Sequence, residues 1–232
     1  MADGRKIAMG CAAGCAVIAG LMAVSAGACG VWVWREGQRM QEEMTDPAAR
    51  GDKVLEVLGT DRVPDGYFPL AAFSVPFVAR MAMLTDRSPD ADGEVEGFDE
   101  RGFVYFETIG VGQDEQQLHD FFEGRTDDYS VLEDNGLNFD IEEALGRGVF
   151  DLDPAQVMYV TQRGSIAVQG NQGDGLTGVA LIDCPEDERR RVAVWFGPDV
   201  EAQEGETEDL AGTPADPAAL RAFLANFSFC AE

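Results

Sequence analysis

The sequence predicts an α+β protein, with a single N-terminal transmembrane helix followed by one domain in which helices pack on one face of an antiparallel sheet. Three observations lead there. Residues Ile7 to Trp34 form one apolar run without a charged side chain. Beyond it, short apolar stretches are separated by Gly, Pro, Asn and Asp turn signals, the pattern of antiparallel strands. Two segments break that pattern with apolar residues at helical spacing, one near 114–124 and one at 217–227.

A helix rises about 1.5 Å per residue, so the run from Ile7 to Trp34 would reach about 42 Å, more than the ~30 Å hydrocarbon core of a bilayer. Arg5 and Lys6 precede it, and Trp32 and Trp34 stand at its far end, where interfacial aromatic residues belong. The expectation is a signal-anchor with residues 1–6 cytoplasmic, 7–34 in membrane lipid, 35–58 a helical stalk and 59–232 an acidic domain outside the cytoplasm. Ala26-Gly27-Ala28 before Cys29 offers a cleavage or lipid-attachment site, but the apolar stretch continues past it. Gly10 and Gly14 bring the small-residue spacing that can pair helices, so homo-oligomerisation is one partner reading.

Within the stalk, Asp46-Pro47 caps a helix that runs to Leu58 and closes at Gly59. Pro64-Asp65-Gly66 then turns the chain into strands near 67–74 and 77–85, because Pro69 and Pro76 would break a helix. An acidic loop, 86–101, leads to a strand from Gly102 to Val111. Asp114 to Gly124 reads as a helix with Leu118, Phe121 and Phe122 on one face. Short strands are expected at 129–132 and 137–141, and a hairpin joins 157–162 to 165–169 through Arg163-Gly164. A second hairpin joins 176–183 to 191–196, and 198–215 is a solvated loop. Finally Asp216 caps and Pro217 opens a helix whose Leu220, Phe223, Leu224 and Phe227 make an apolar stripe.

Charge narrows the function classes. The chain carries 43 acidic and 17 basic side chains, a net charge of -26. Such a surface repels phosphate backbones, so nucleic acid is excluded as a partner. Only Cys184 and Cys230 lie beyond the apolar run, and in an oxidising compartment they are natural disulfide partners.

Candidate chemistry is sparse. The loop Ser88 to Asp99 sets Asp90, Asp92, Glu94 and Asp99 around Gly93 with the spacing of a twelve-residue calcium loop. Calcium is thus the one cofactor the sequence suggests. Ser88 opens the loop where that pattern wants Asp, Pro89 follows at position 2, and Asp99 closes it where the pattern wants Glu. His119, the only histidine, falls a helical turn from both Glu115 and Glu123, as an exposed His among acids or a metal face. No nucleophile elbow, phosphate loop or dinucleotide fingerprint is present.

The function expected from these features is a membrane-anchored extracytoplasmic domain, non-catalytic, that binds or helps assemble a partner. The competing readings are an extracytoplasmic carboxylate- or metal-dependent hydrolase and a calcium-binding module.

Overall fold

The computed structural model describes residues 46–230, apart from 76, 92, 94, 96, 110–112, 129, 134–136, 169–170, 186 and 201–207. The expected membrane segment, 7–34, and the stalk as far as 45 lie outside the described residues. Among the described residues no helix is long and apolar enough to cross a membrane.

The chain opens with helix α1 (Pro47–Leu58), in which the Asp46 carboxylate accepts the Ala48 N–H and Pro47 fills the first helical position. Gly59 closes it in the left-handed conformation. A side chain there is excluded twice over, because a Cβ would also sit 2.5 Å from the Ser228 carbonyl. Ser228 N–H in turn donates to the Leu58 carbonyl, tying the end of α1 to the C-terminal segment.

Three strands follow as a meander, β1 (Phe68–Val75), β2 (Ala79–Thr85) and β3 (Gly102–Ile109). Helices α2 (Gln113–Phe122) and α3 (Ser130–Glu133) then cross to the far edge. A second meander, β4 (Leu137–Leu152), β5 (Ala155–Val168), β6 (Asn171–Asp183) and β7 (Arg189–Gly197), returns to the middle, and helix α4 (Pro217–Leu224) ends the fold. The result is one antiparallel seven-stranded sheet in the order β1-β2-β3-β7-β6-β5-β4, with the two meanders joined where β3 pairs with β7.

Helices cover both faces, which corrects the expectation of a single covered face. Strand residues alternate, so each strand offers one apolar set to each side. On one side Ala82, Phe103, Tyr105, Ala193 and Trp195 pack against Val54, Val57 and Leu58 of α1 and Leu220, Phe223 and Leu224 of α4. On the other, Met81, Val104, Val160, Val179 and Val194 pack against Leu118, Phe121 and Phe122 of α2 and Val131 and Leu132 of α3. Central strands buried on two sides read as near-continuous apolar runs, as in the VAVWF stretch of β7.

Two local expectations are also corrected. Arg163-Gly164 is not a turn, because β5 runs straight through it. Gly164 lies at φ 148° opposite Gly175, and a Cβ on it would come within 2.0 Å of the Asp140 carbonyl, so the glycine marks close strand approach. Residues 130–133 are a helical turn and not a strand.

The cysteine expectation holds. Cys184, just after β6, and Cys230 form a disulfide across 46 residues, pinning the chain end beyond α4 to the sheet.

Candidate functional site

The structure draws attention to a place that sequence reasoning passed over. On β3, Phe103, Tyr105 and Glu107 share a face, so the strand period carries a carboxylate into line with two core aromatics. Glu107 is only 3% exposed, and a carboxylate so placed needs charged partners. Its neighbours in register supply them, Arg80 on β2 and Arg191 on β7. Tyr105 Oη donates to Glu107 Oε2 at 2.9 Å and Arg189 Nη1 to Oε1 at 2.8 Å. Arg191 Nε and Arg80 Nη1 stand 3.6 and 3.7 Å from Oε2.

Asp187 extends the cluster. Arg191 Nη2 and the Arg189 guanidinium both bond its carboxylate. Burial alone would raise the Asp187 pKa, but the hydrogen bonds from Arg189 and Arg191 outweigh it and hold the group well below the ordinary carboxylate range. The same contact with Asp187 pushes Arg189 up. Burial, followed by the nearby Glu107 charge, pushes the Tyr105 phenol far up, so it remains a neutral donor.

A cavity of about 440 Å³ opens beside this row, at the end of the sheet and past the C-terminus of α1. Arg80, Glu107 and Arg189 line it, while Val78 and Ile109, 56% and 50% exposed, form an apolar rim. Arg80 Nη2 also donates to the Glu56 carbonyl at 3.0 Å, a cation at a helix C-terminus. The cluster sets three guanidiniums, Arg80, Arg189 and Arg191, against two carboxylates, Glu107 and Asp187. Glu56, also at the cavity, is matched by Lys53 at 3.0 Å. The cavity wall itself is charge-balanced, Arg80 and Arg189 against Glu56 and Glu107, in a chain of net charge -26. Planar guanidiniums of this kind suit a carboxylate or another anionic group.

The residues singled out from the sequence lie elsewhere. Asp90 and Asp99 are exposed in the loop between β2 and β3, and Asp92 and Glu94 lie outside the described residues. The loop is held from its ends. Asp86 Oδ1 accepts the backbone N–H groups of Asp99 and Glu100 at 3.2 and 3.3 Å, and Arg50 Nη2 donates to the Gly93 carbonyl at 2.7 Å. Among the described residues no three His, Cys, Asp or Glu side chains gather as a metal group. His119 Nε2 stands 3.8 Å from Asp183 Oδ1, on the α2 side of the sheet. Glu123 pairs with Arg125, and the Glu115 side chain lies outside the described residues.

Two signals pointed to the missed cluster. Glu107 is an acid at an inward parity of an apolar strand, and Arg189–Arg191 are three consecutive bases in an acid-rich chain. Comparison with protein-family models, with curated protein sequences and with solved structures finds no match for this chain.

Proposed function

We propose that this chain is a membrane-anchored, extracytoplasmic, non-catalytic domain that binds a partner at the cavity beside Arg80, Glu107 and Arg189. The apolar run Ile7 to Trp34, with its leading Arg5 and Lys6, supports the anchor and its orientation. The observation that carries the binding reading is the cavity itself, a recess that sets the Arg80 and Arg189 guanidiniums beside an apolar rim in an otherwise acidic protein. Polar groups at the floor and exposed apolar side chains at the mouth are what a recognition pocket needs. The partner group that fits is a carboxylate-bearing segment with an apolar neighbour. Hydrolysis is less well supported, because Glu107 is engaged by Tyr105 and Arg189 and the lone histidine lies on the opposite face.

The test is recovery of the full chain from its own membranes in mild detergent, comparing wild type with an Ile109→Asp, Arg189→Glu double variant. The expected outcome is a discrete partner retained by wild type and reduced at least about tenfold in the variant, as for a central interface position. A chain recovered alone, or the same companions in equal yield with both proteins, overturns the binding reading. External protease on intact cells checks the anchor separately, and a domain that survives intact overturns the orientation.

A further inference from the structure

The two edges of the sheet are built differently. Edge strand β4 carries the exposed acids Asp140, Glu142, Glu143 and Asp151, and two register irregularities, between Ile141 and Glu143 and between Ala144 and Gly146. Charges and bulges of this kind prevent a sheet edge from pairing with another chain. Edge strand β1 reads FPLAAFSV, with no charged residue. Its one bulge, at Leu70, and Pro69 blunt only its beginning, so Ala71 to Val75 present an undefended edge. At its end the β1–β2 turn holds Phe77 out at 94% exposure with φ 63°, a left-handed conformation uncommon for a bulky residue.

We infer that the β1 edge pairs with the β1 edge of a second copy of this chain, antiparallel and two-fold about Ala72, extending one sheet through both molecules. Two features favour a second copy over an unrelated strand. First, the strand is complementary to itself, because a two-fold at Ala72 sets Phe73 of each copy opposite Ala71 of the other, large against small on one face. Second, the tip fits. Counting outward from the axis, Phe77 of one copy reaches the Pro64–Tyr67 turn of the other, which would cover its ring. A stretch without acids is also where two molecules of net charge -26 can approach most closely. The contact is isologous and therefore closes as a dimer. Ser74, Val75 and Phe77 also line the cavity, so the pairing shares surface with the partner site proposed above, and sedimentation of the chain by itself tests it without that partner.

Sedimentation velocity on the full chain in detergent micelles, across a wide concentration range, reads the association directly. Wild type is expected to sediment as a dimer. Ser74→Lys, which places a charge on the edge, and Phe77→Asp, at a position too exposed to unfold the domain, are each expected to weaken association at least about tenfold. Ala72→Cys supplies the register. Opposite residues at a two-fold lie within disulfide reach, and peptide mapping should find the two introduced thiols linked to one another. A wild-type chain that stays monomeric overturns the inference. So does a dimer that survives both charge variants, because its contact then lies elsewhere, in the apolar run among other places, and so does an Ala72→Cys dimer without the link.

Discussion

Glu107 is where one side chain decides most. It accepts from Tyr105 and Arg189 while Arg80 and Arg191 close around it, so removing it leaves three guanidiniums facing one another with only Asp187 between them. Breaking a buried ion pair from one side destabilises by about 3–5 kcal/mol, and Glu107→Ala should lose about that in urea unfolding. An accompanying Arg191→Met, which removes a buried cation too, should recover part of it. A loss below about 1 kcal/mol for Glu107→Ala would show the cluster to be solvated and the pocket floor softer than described. Asp187 makes a pH prediction. Its folded pKa is depressed, so the stability it contributes is present above its unfolded pKa, about 3.9, and disappears as pH falls below that value. The gap in unfolding free energy between wild type and Asp187→Asn should therefore be constant from neutral pH down to about pH 5 and narrow below about pH 4. The cluster itself was half legible in the sequence. Strand period places Glu107 inward, but nothing local says that Arg80, more than twenty positions away, and Arg189, some eighty away, arrive beside it.

At the scale of elements, helix ends were the most readable features. Asp46-Pro47 and Asp216-Pro217 cap α1 and α4 as their residue types require, since each carboxylate accepts the N–H two positions on and each proline sits where no hydrogen bond is lost. The stripe Leu220, Phe223, Leu224 and Phe227 was equally plain. Phe223 lies flat on Trp195 with ring centroids 4.5 Å apart, and Trp195 Nε1 donates to Tyr67 Oη at 2.7 Å, so α4 reaches across β7 to the segment ahead of β1. Strand lengths were not readable. Arg163-Gly164 carries the residue types of a turn, yet the Arg163 guanidinium bonds Glu143, Asp199 and Glu208, and the glycine permits close strand approach, so the strand continues. The Cys184–Cys230 bridge adds a covalent hold on the segment after α4. Closing a loop of 46 residues removes about 4 kcal/mol of chain entropy from the unfolded state. Cys184→Ser with Cys230→Ser should lower stability by up to that amount under oxidising conditions, measured by chemical unfolding. Reduction of the wild type should reproduce the loss.

For the whole molecule, the order of strand and helix patterns indicated an α+β domain with an antiparallel sheet, and that much is observed. That order did not reveal that helices cover both faces. A helix stripe announces that it must lie on something apolar without saying on which side, and the choice is made by the crossover from β3 to β4, which carries α2 and α3 over the face that α1 and α4 leave open. The unlike edges belong to this scale as well. Acids and bulges on β4 close one side of the sheet, while the bare β1 leaves the other side available to a second molecule.

The seam between β3 and β7 has a consequence for synthesis. Phe103 pairs with Trp195, so the first meander leaves the ribosome with β3 as an open margin and must wait for about ninety further residues before its permanent neighbour exists. Through that interval GFVYFETI is a bare, strongly β-forming ribbon, a segment open to mispairing while the polypeptide is being made.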